Sequence, residues 1–341
     1  MLIEWLLSNA DAVVRYRTQL ELMKTPDKTR LQESLTALLA LSQTQKRLAL
    51  LKNMDYNRTH GSDSSHLENI LPMLDDFGLD YSVDAFNRAV GDIAKISKII
   101  TDESYDKLVA YPFLLRSKFP IDGLIDYAMQ RVNTIHDFTQ HMDFDIYDAP
   151  QNHPGVPKAF RDRPIIKPSI AYDTISCGMN IKLPLIYDIV MFAEIYDRVS
   201  DEMQNKIDNI IDYIIAPGYD IVVPMYGIIP APPRKYYTMG WDCKKPFNDT
   251  LDYANQNLHR LLLYARFPTA SKSAWFANAL DYLAQYKTQN GTYLFPKEYL
   301  IEKDCNWVLG TRMSLAENRR RKQYLEIEST FYMFKLLSYL P

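Results

Sequence analysis

Asn290 to Leu340 reads NGTYLFPKEYLIEKDCNWVLGTRMSLAENRRRKQYLEIESTFYMFKLLSYL, and its two halves behave differently. Gly291, Pro296 and Gly310 interrupt the first half. From Gln323 the pattern predicts a helix whose polar residues, Glu326, Glu328, Ser329 and Thr330, are confined to its opening turns. Phe331, Tyr332, Met333, Phe334, Leu336 and Leu337 then leave almost no face for water, and a helix apolar nearly all round is a buried helix. Carboxylates gain stabilisation near the positive end of a helix dipole, so Glu328 is expected to look onto whatever opens there. Arg312 or one of Arg319 to Arg321 is its expected partner.

Working outward, other helices alternate with loops. Asp11 to Met23 reads as a short amphipathic helix, and after Thr25 and Pro26 a longer one is predicted from about Lys28 to Lys52. The polar stretch DYNRTHGSDSS, Asp55 to Ser65, leads into a helix burying Leu67, Ile70, Leu71, Leu74 and Phe77, which Gly78 ends. Val83, Phe86, Val90, Ile93, Ile96 and Ile100 repeat at helical spacing, completing an antiparallel hairpin. Helices begin again near Ile121, Leu183, Asp249 and Gln323, an irregular repeat of roughly 60 to 75 residues. Between them lie long loops: Asp143 to Ser169 with five prolines, Pro217 to Pro246 with six, and Asn290 to Lys322. Loops this long inside a compact domain are usually functional. Tyr219 to Val223 and Ile228 to Ile229 are too short to organise a sheet, beyond a small hairpin.

Composition narrows the class. The chain has 341 residues, 47% hydrophobic and 24% charged, with a net charge of −3, so no global field advertises nucleic acid or an anionic membrane. Its 24 tyrosines against 11 glycines suit helices packed around a semi-polar cavity. Cys177, Cys243 and Cys305 form no CxxC pair, which points to a reducing, cytoplasmic setting. The start, MLIEWLLSNADAVVRY, lacks the basic opening of a signal peptide. Asp188 and Glu194 interrupt the best apolar run, Leu183 to Tyr196, so no membrane insertion is expected.

Five stretches, NADAVVRYRTQLELM (9–23), HGSDSSHLENILPMLDDFGLD (60–80), YYTMGWDCKKPF (236–247), NGTYLFPKEYL (290–300) and EIESTFYMFKLL (326–337), carry a resemblance. Their order is similar to that of bacterial proteins of the prenyltransferase and squalene-cyclase-like α/α-toroid class. The resemblance implies an all-α fold: a single toroid domain over residues 1–341, built of repeated helical hairpins with long loops on one face, residues 1–53 packing on the barrel. It also implies a central, aromatic-lined cavity for a small-molecule ligand and an enzyme of terpenoid-like or other small-molecule metabolism. The acidic DxDD cluster of the class II cyclases is missing. Asp75 and Asp76 stand at a helix end before Gly78 and read as a solvated terminus. The zinc-holding aspartate, cysteine and histidine of protein prenyltransferases find only Asp242 and Cys243 in GWDCK, with His259 or Cys305 elsewhere. Neither a metal nor a cofactor is expected.

The site residues follow from position. His60 and His66 flank Asp63 on one loop and helix start, and histidine is the usual proton carrier near neutrality. His66, Asp173, Asp242 and Glu328 are the expected acid and base groups, each at or just before an expected inner-helix start. His60, Asp63, Tyr172, Trp241, Trp307, Arg312, Arg319 and Arg320 are the expected ligand contacts. Two alternatives stand beside the enzyme of small-molecule metabolism. One is a carbohydrate-active α/α barrel, hydrolase or lyase, using two of Asp143, Asp145, Asp148 and Asp173. The other is a noncatalytic helical protein whose loops recognise a peptide or glycan.

Overall fold

The computed structural model describes residues 2–94, 96, 105–171, 180–222, 225–231, 235–243, 251–316, 318–321 and 323–340. The chain opens with α1 (Leu2–Asn9) and α2 (Ala12–Arg17), and the Asp11 carboxylate starts α2 by accepting from the Val14 amide. A π-helical turn, Thr18–Leu22, continues it. Next come α3 (Lys28–Ala40) and α4 (Ser42–Lys52), separated at Leu41, whose backbone is extended where the sequence reading runs one helix through. The succession then runs α5 (Leu67–Asp75), α6 (Asp84–Val90), α7 (Tyr105–Arg116), α8 (Leu124–Thr139), α9 (Ile186–Ile195), α10 (Asp201–Ile215), α11 (Ala254–Tyr264), α12 (Pro268–Ser271), α13 (Ala274–Ala284) and α14 (Tyr324–Ser338). Ser200 and Ser273 cap α10 and α13 through their hydroxyls, each meeting an amide that the first turn leaves without a partner. α6 stops at Val90 because Gly91 turns to φ 68°, and Ile100 and Asp249 lie outside the described residues.

Helices dominate, as expected, with one small sheet beside them. The proline-rich loops build a four-stranded sheet from β1 (Tyr147–Asp148), β2 (Ile165–Ile166), β3 (Gly227–Ala231) and β4 (Lys235–Met239), in that order. β3 and β4 form an antiparallel hairpin in which Ile229 faces Tyr237, while β2 lies parallel to β3. Val156, Ile165 and Ile228 give the sheet a small apolar cluster of its own. Tyr219, placed near a strand by the sequence reading, sits in a 3-10 turn.

The most buried helices are neighbours in succession: α5 packs on α7, α7 on α9, α9 on α11, α11 on α14, and α14 on α2. All six deliver the residues at or just after their C-termini to one basin, through Arg17, Asp76, Arg116, Glu194, Arg266 and Lys335. They therefore share one polarity. The helices expected from His66, Leu183, Asp249 and Gln323 correspond to α5, α9, α11 and α14 of this set, with starts displaced by up to five residues. Among the described residues no helix is long and apolar enough to cross a membrane.

Connections at the two ends differ. At the basin end they are short, as in 117–123, 196–200 and 265–267. At the other end they are long: 53–66, 140–185, 216–253 and 285–323. One long segment also spans the buried interior. Asn306 donates to Glu68 near the start of α5 at 2.9 Å, and the Trp307 indole donates to Asp76 just past its end at 2.6 Å. Gly310 (φ 64°) closes the turn carrying them, and a Cβ there would lie 2.6 Å from the Asn255 carbonyl and 2.8 Å from the His259 Cβ. Gly310→Ala is expected to cost ~1–3 kcal/mol through forced left-handed backbone and this crowding, read as a lower melting temperature.

Candidate functional site

At the long-loop end the centre of organisation is Glu68, in the first turn of α5 and wholly buried. One carboxylate oxygen accepts from His60 Nδ1 at 2.7 Å, from the Gly61 amide at 2.6 Å and from Asn306. The other accepts the Tyr187 hydroxyl from the start of α9. The sequence brings these donors together because Gly61 permits it: the His66 ring fills the place of its missing Cβ, 2.3 Å from where that atom would stand. Asn69, one residue on, ties the loop down by donating to the Gly61 and Asp63 carbonyls.

His60 keeps 38% of its side chain exposed while Nδ1 is held on the carboxylate. Burial works to lower its pKa, but the hydrogen bond and charge of Glu68, with Asp106 behind it, outweigh that and raise it above 6.5. The Trp241 ring meets His60 edge-on at 5.4 Å and Tyr187 at 5.8 Å. Histidine and phenol thus share one carboxylate, and the indole lies against both of their rings.

Trp241 is held in an unfavourable conformation, φ 65°, which a bulky residue adopts only when its surroundings impose it. The surroundings do so through a clamp of buried hydroxyls. Tyr219 accepts from the Cys243 amide and meets the Tyr226 hydroxyl, Tyr226 donates to the Pro184 carbonyl, and Tyr264 donates to the Cys243 carbonyl. The Ile186 amide takes the Trp241 carbonyl, and Arg260 takes that of Asp242. Burial drives the Tyr219, Tyr226 and Tyr264 hydroxyls well above their ordinary range, and the Cys243 thiol with them, so this clamp stays protonated.

The remaining sequence candidates divide. Of the expected acid and base groups, Asp173 lies outside the described residues, as does the ligand candidate Tyr172. Asp242 is buried. His66 is part of the loop's packing, 3.2 Å from Asp63 and 3.4 Å from Arg58. Asp63 is an exposed turn residue, drawn down to about 2 chiefly by the Ser65 hydroxyl. Arg312 is spent on Asp304 and Glu302, Arg319 reaches the Leu300 carbonyl, and Arg320 is exposed. Asp145 and Asp148 pair with Lys167 and His153, and Asp143 accepts from the Asp145 amide. Among the described residues no group of three or more histidine, cysteine, aspartate and glutamate side chains is placed to hold a metal ion, and Asp242, Cys243 and His259 form none. Cys243 Sγ donates instead to the Pro184 carbonyl.

Two expectations are corrected by the geometry. Asp75 and Asp76 are not a solvated helix end, because Arg116 pairs with both and Trp307 covers Asp76. Burial, opposed by Arg116 and helped by Glu194, pushes Asp75 up to about 6. Glu328 forms no ion pair with an arginine among the described residues. Its Oε1 meets the Ser314 hydroxyl at 3.3 Å, the Leu315 and Ala316 backbone also stabilises its charge, and it borders a cavity of about 200 Å3 shared with Asp11 and Arg321. Burial pushes it up to about 8. Among the described residues, Trp307 is the one expected ligand contact that lines the basin.

Sequence reasoning reached His60 and Trp241 but missed Glu68, Tyr187 and Asn306. A Glu in the first turn of a helix two residues beyond His66 was the available signal. Comparison of the chain with family models, with curated proteins and with solved structures returned no match.

Two titrations check this geometry. His60 is raised in the fold, so the stability from its pairing is present below 6.5 and is lost as pH rises through the higher folded value. Its imidazole resonances are expected to titrate above 6.5, and Glu68→Gln is expected to move that midpoint down. Glu328 holds its proton longer in the fold than in the unfolded chain, so its ionisation erodes stability from 4.5 upward, the loss being complete above about 8. Glu328→Gln keeps the neutral shape, and is expected to melt several degrees above the parent at pH above 8 and close to it below 4.5.

Proposed function

We propose that the protein is an α/α-toroid enzyme whose acid–base site lies at the long-loop end, acting on a polyhydroxylated, acidic carbohydrate by proton abstraction and elimination. The observation that carries this reading is the single buried carboxylate of Glu68 holding both His60 and Tyr187 beside a strained Trp241. Six neighbouring helices of one polarity, most of them followed by a short turn and a returning helix, support the toroid. The free thiols of Cys243 and Cys305 suit a reducing, cytoplasmic setting.

In this mechanism Glu68 fixes the imidazole tautomer, leaving Nε2 to exchange the proton, as a carboxylate does for a catalytic histidine. His60 removes the proton next to the sugar carboxylate, and the electron pair forms the ring double bond as the glycosidic oxygen leaves. Tyr187, sharing the same carboxylate, positions the relay and supplies hydroxyl density beside it. Trp241 offers the apolar face on which a pyranose ring stacks. Hydrolysis by two carboxylates is less well supported, since Glu68 is committed to its donors, Asp145 to Lys167 and Asp148 to the His153 ring. A terpenoid chain needs an apolar tunnel, whereas the groups gathered here are polar.

The test is incubation with a panel of uronate-containing oligosaccharides, following ultraviolet absorbance of the unsaturated product. Turnover by the parent is expected, with His60→Gln slowing it by about 10²-fold or more and the fold unchanged. Binding without turnover would replace this reading by that of a helical glycan-binding protein, and equal rates for parent and His60→Gln would remove His60 from the chemistry.

A further inference from the structure

The basin at the helix C-termini encloses about 260 Å3 and is bordered by ion pairs. Arg17 and Lys335 pair with Glu21, Arg116 with Asp75 and Asp76, Lys118 with Asp80, and Arg266 with Glu194. Five basic and five acidic side chains therefore line it, which leaves no net charge to attract a lone anion or cation. A carboxylate offers about four lone-pair positions and a guanidinium five N–H groups, so pairing leaves both donors and acceptors on the lining.

A second observation is independent of these pairs. His259 is buried, lines the basin, and has Nδ1 3.3 Å from Arg260 Nη1. An arginine only donates, so Nδ1 accepts and the ring proton resides on Nε2. That nitrogen is buried without a hydrogen-bond partner. Burial and the charge of Arg260 hold the ring neutral. Leu262, Leu263, Met313 and Trp307 supply apolar patches between the charged groups.

We infer that this basin binds a neutral polyhydroxylated molecule of single-ring size, whose hydroxyls both donate to the carboxylates and accept from the arginines and His259. The volume falls just below the ~300–1,000 Å3 of typical ligand pockets, which fits one small ring rather than a chain. The site lies at the opposite ends of the helices from His60 and stands whether or not the elimination chemistry does. Leu20, 45% exposed, stands on its rim and contributes no charge.

Thermal unfolding of the whole chain with glucose, galactose, mannose or inositol as separate probes tests the inference, with inorganic phosphate and glycine as contrasting ions. A rise of a few degrees at saturation with at least one polyol is expected. Leu20→Trp, which narrows the mouth without touching a pair, is expected to abolish that rise while melting like the parent when no sugar is present. Glu194→Gln should weaken it, and His60→Gln should leave it intact. The inference is overturned if no polyol protects, if phosphate or glycine protects instead, or if Leu20→Trp responds as the parent does.

Discussion

A carboxylate removed from water must find its hydrogen bonds inside the protein, and Glu68 is the place where that requirement organises this chain. An uncompensated buried charge costs several kcal/mol, so its four donors have to arrive together. They come from the loop before α5 (His60 and Gly61), from the start of α9 (Tyr187) and from the loop before α14 (Asn306). Three distant segments are thereby pinned to one point. The same pinning orients His60 and brings the Trp241 ring against it and Tyr187, so the constraint that shapes the loops also sets the geometry of the candidate site.

The opposite end obeys a different electrostatic rule. Six helices of common polarity bring the negative ends of their dipoles to one basin, and cations belong there. Arg17, Arg116 and Lys335 lie in last turns, and Arg266 follows α11 by two residues. So many cations in a confined space demand carboxylates in return, which Glu21, Asp75, Asp76 and Glu194 supply. Arg17 and Lys335 together hold Glu21 down to about 2 despite its burial. Asp75, with two acidic neighbours and one guanidinium, is left as the weak member of the set.

Asn306 and Trp307 couple the two ends. Adjacent in sequence, they reach carboxylates on either side of α5, a helix of nine residues and thus roughly 13 Å long. The indole does this because it is long and carries its donor on one edge, and the Arg116 guanidinium lies 4.8 Å from the ring centre. The turn that presents them depends on Gly310 lying flat against α11.

The local periodicity of the sequence by itself determined the buried character of α5, α9 and α14, because a helix stripe or an all-round apolar helix is written in neighbouring residues. Proline and glycine placement likewise marked the long loops, and His60 and Trp241 each stood among the expected contacts, while their meeting came only with the fold. Only the tertiary structure decided that Asp75 and Asp76 are paired and half-buried, since Arg116 and Trp307 stand 40 and 231 residues from Asp76 in sequence. It also decided that Glu68 rather than His66 or Asp63 anchors the site, and that Arg312 serves Asp304 instead of Glu328. The sheet belongs to the same class, because its strands of two to five residues exist through pairing between loops and not through any pattern of their own. Burial of charge is a property of what the rest of the chain places around a residue, and no window of sequence contains it.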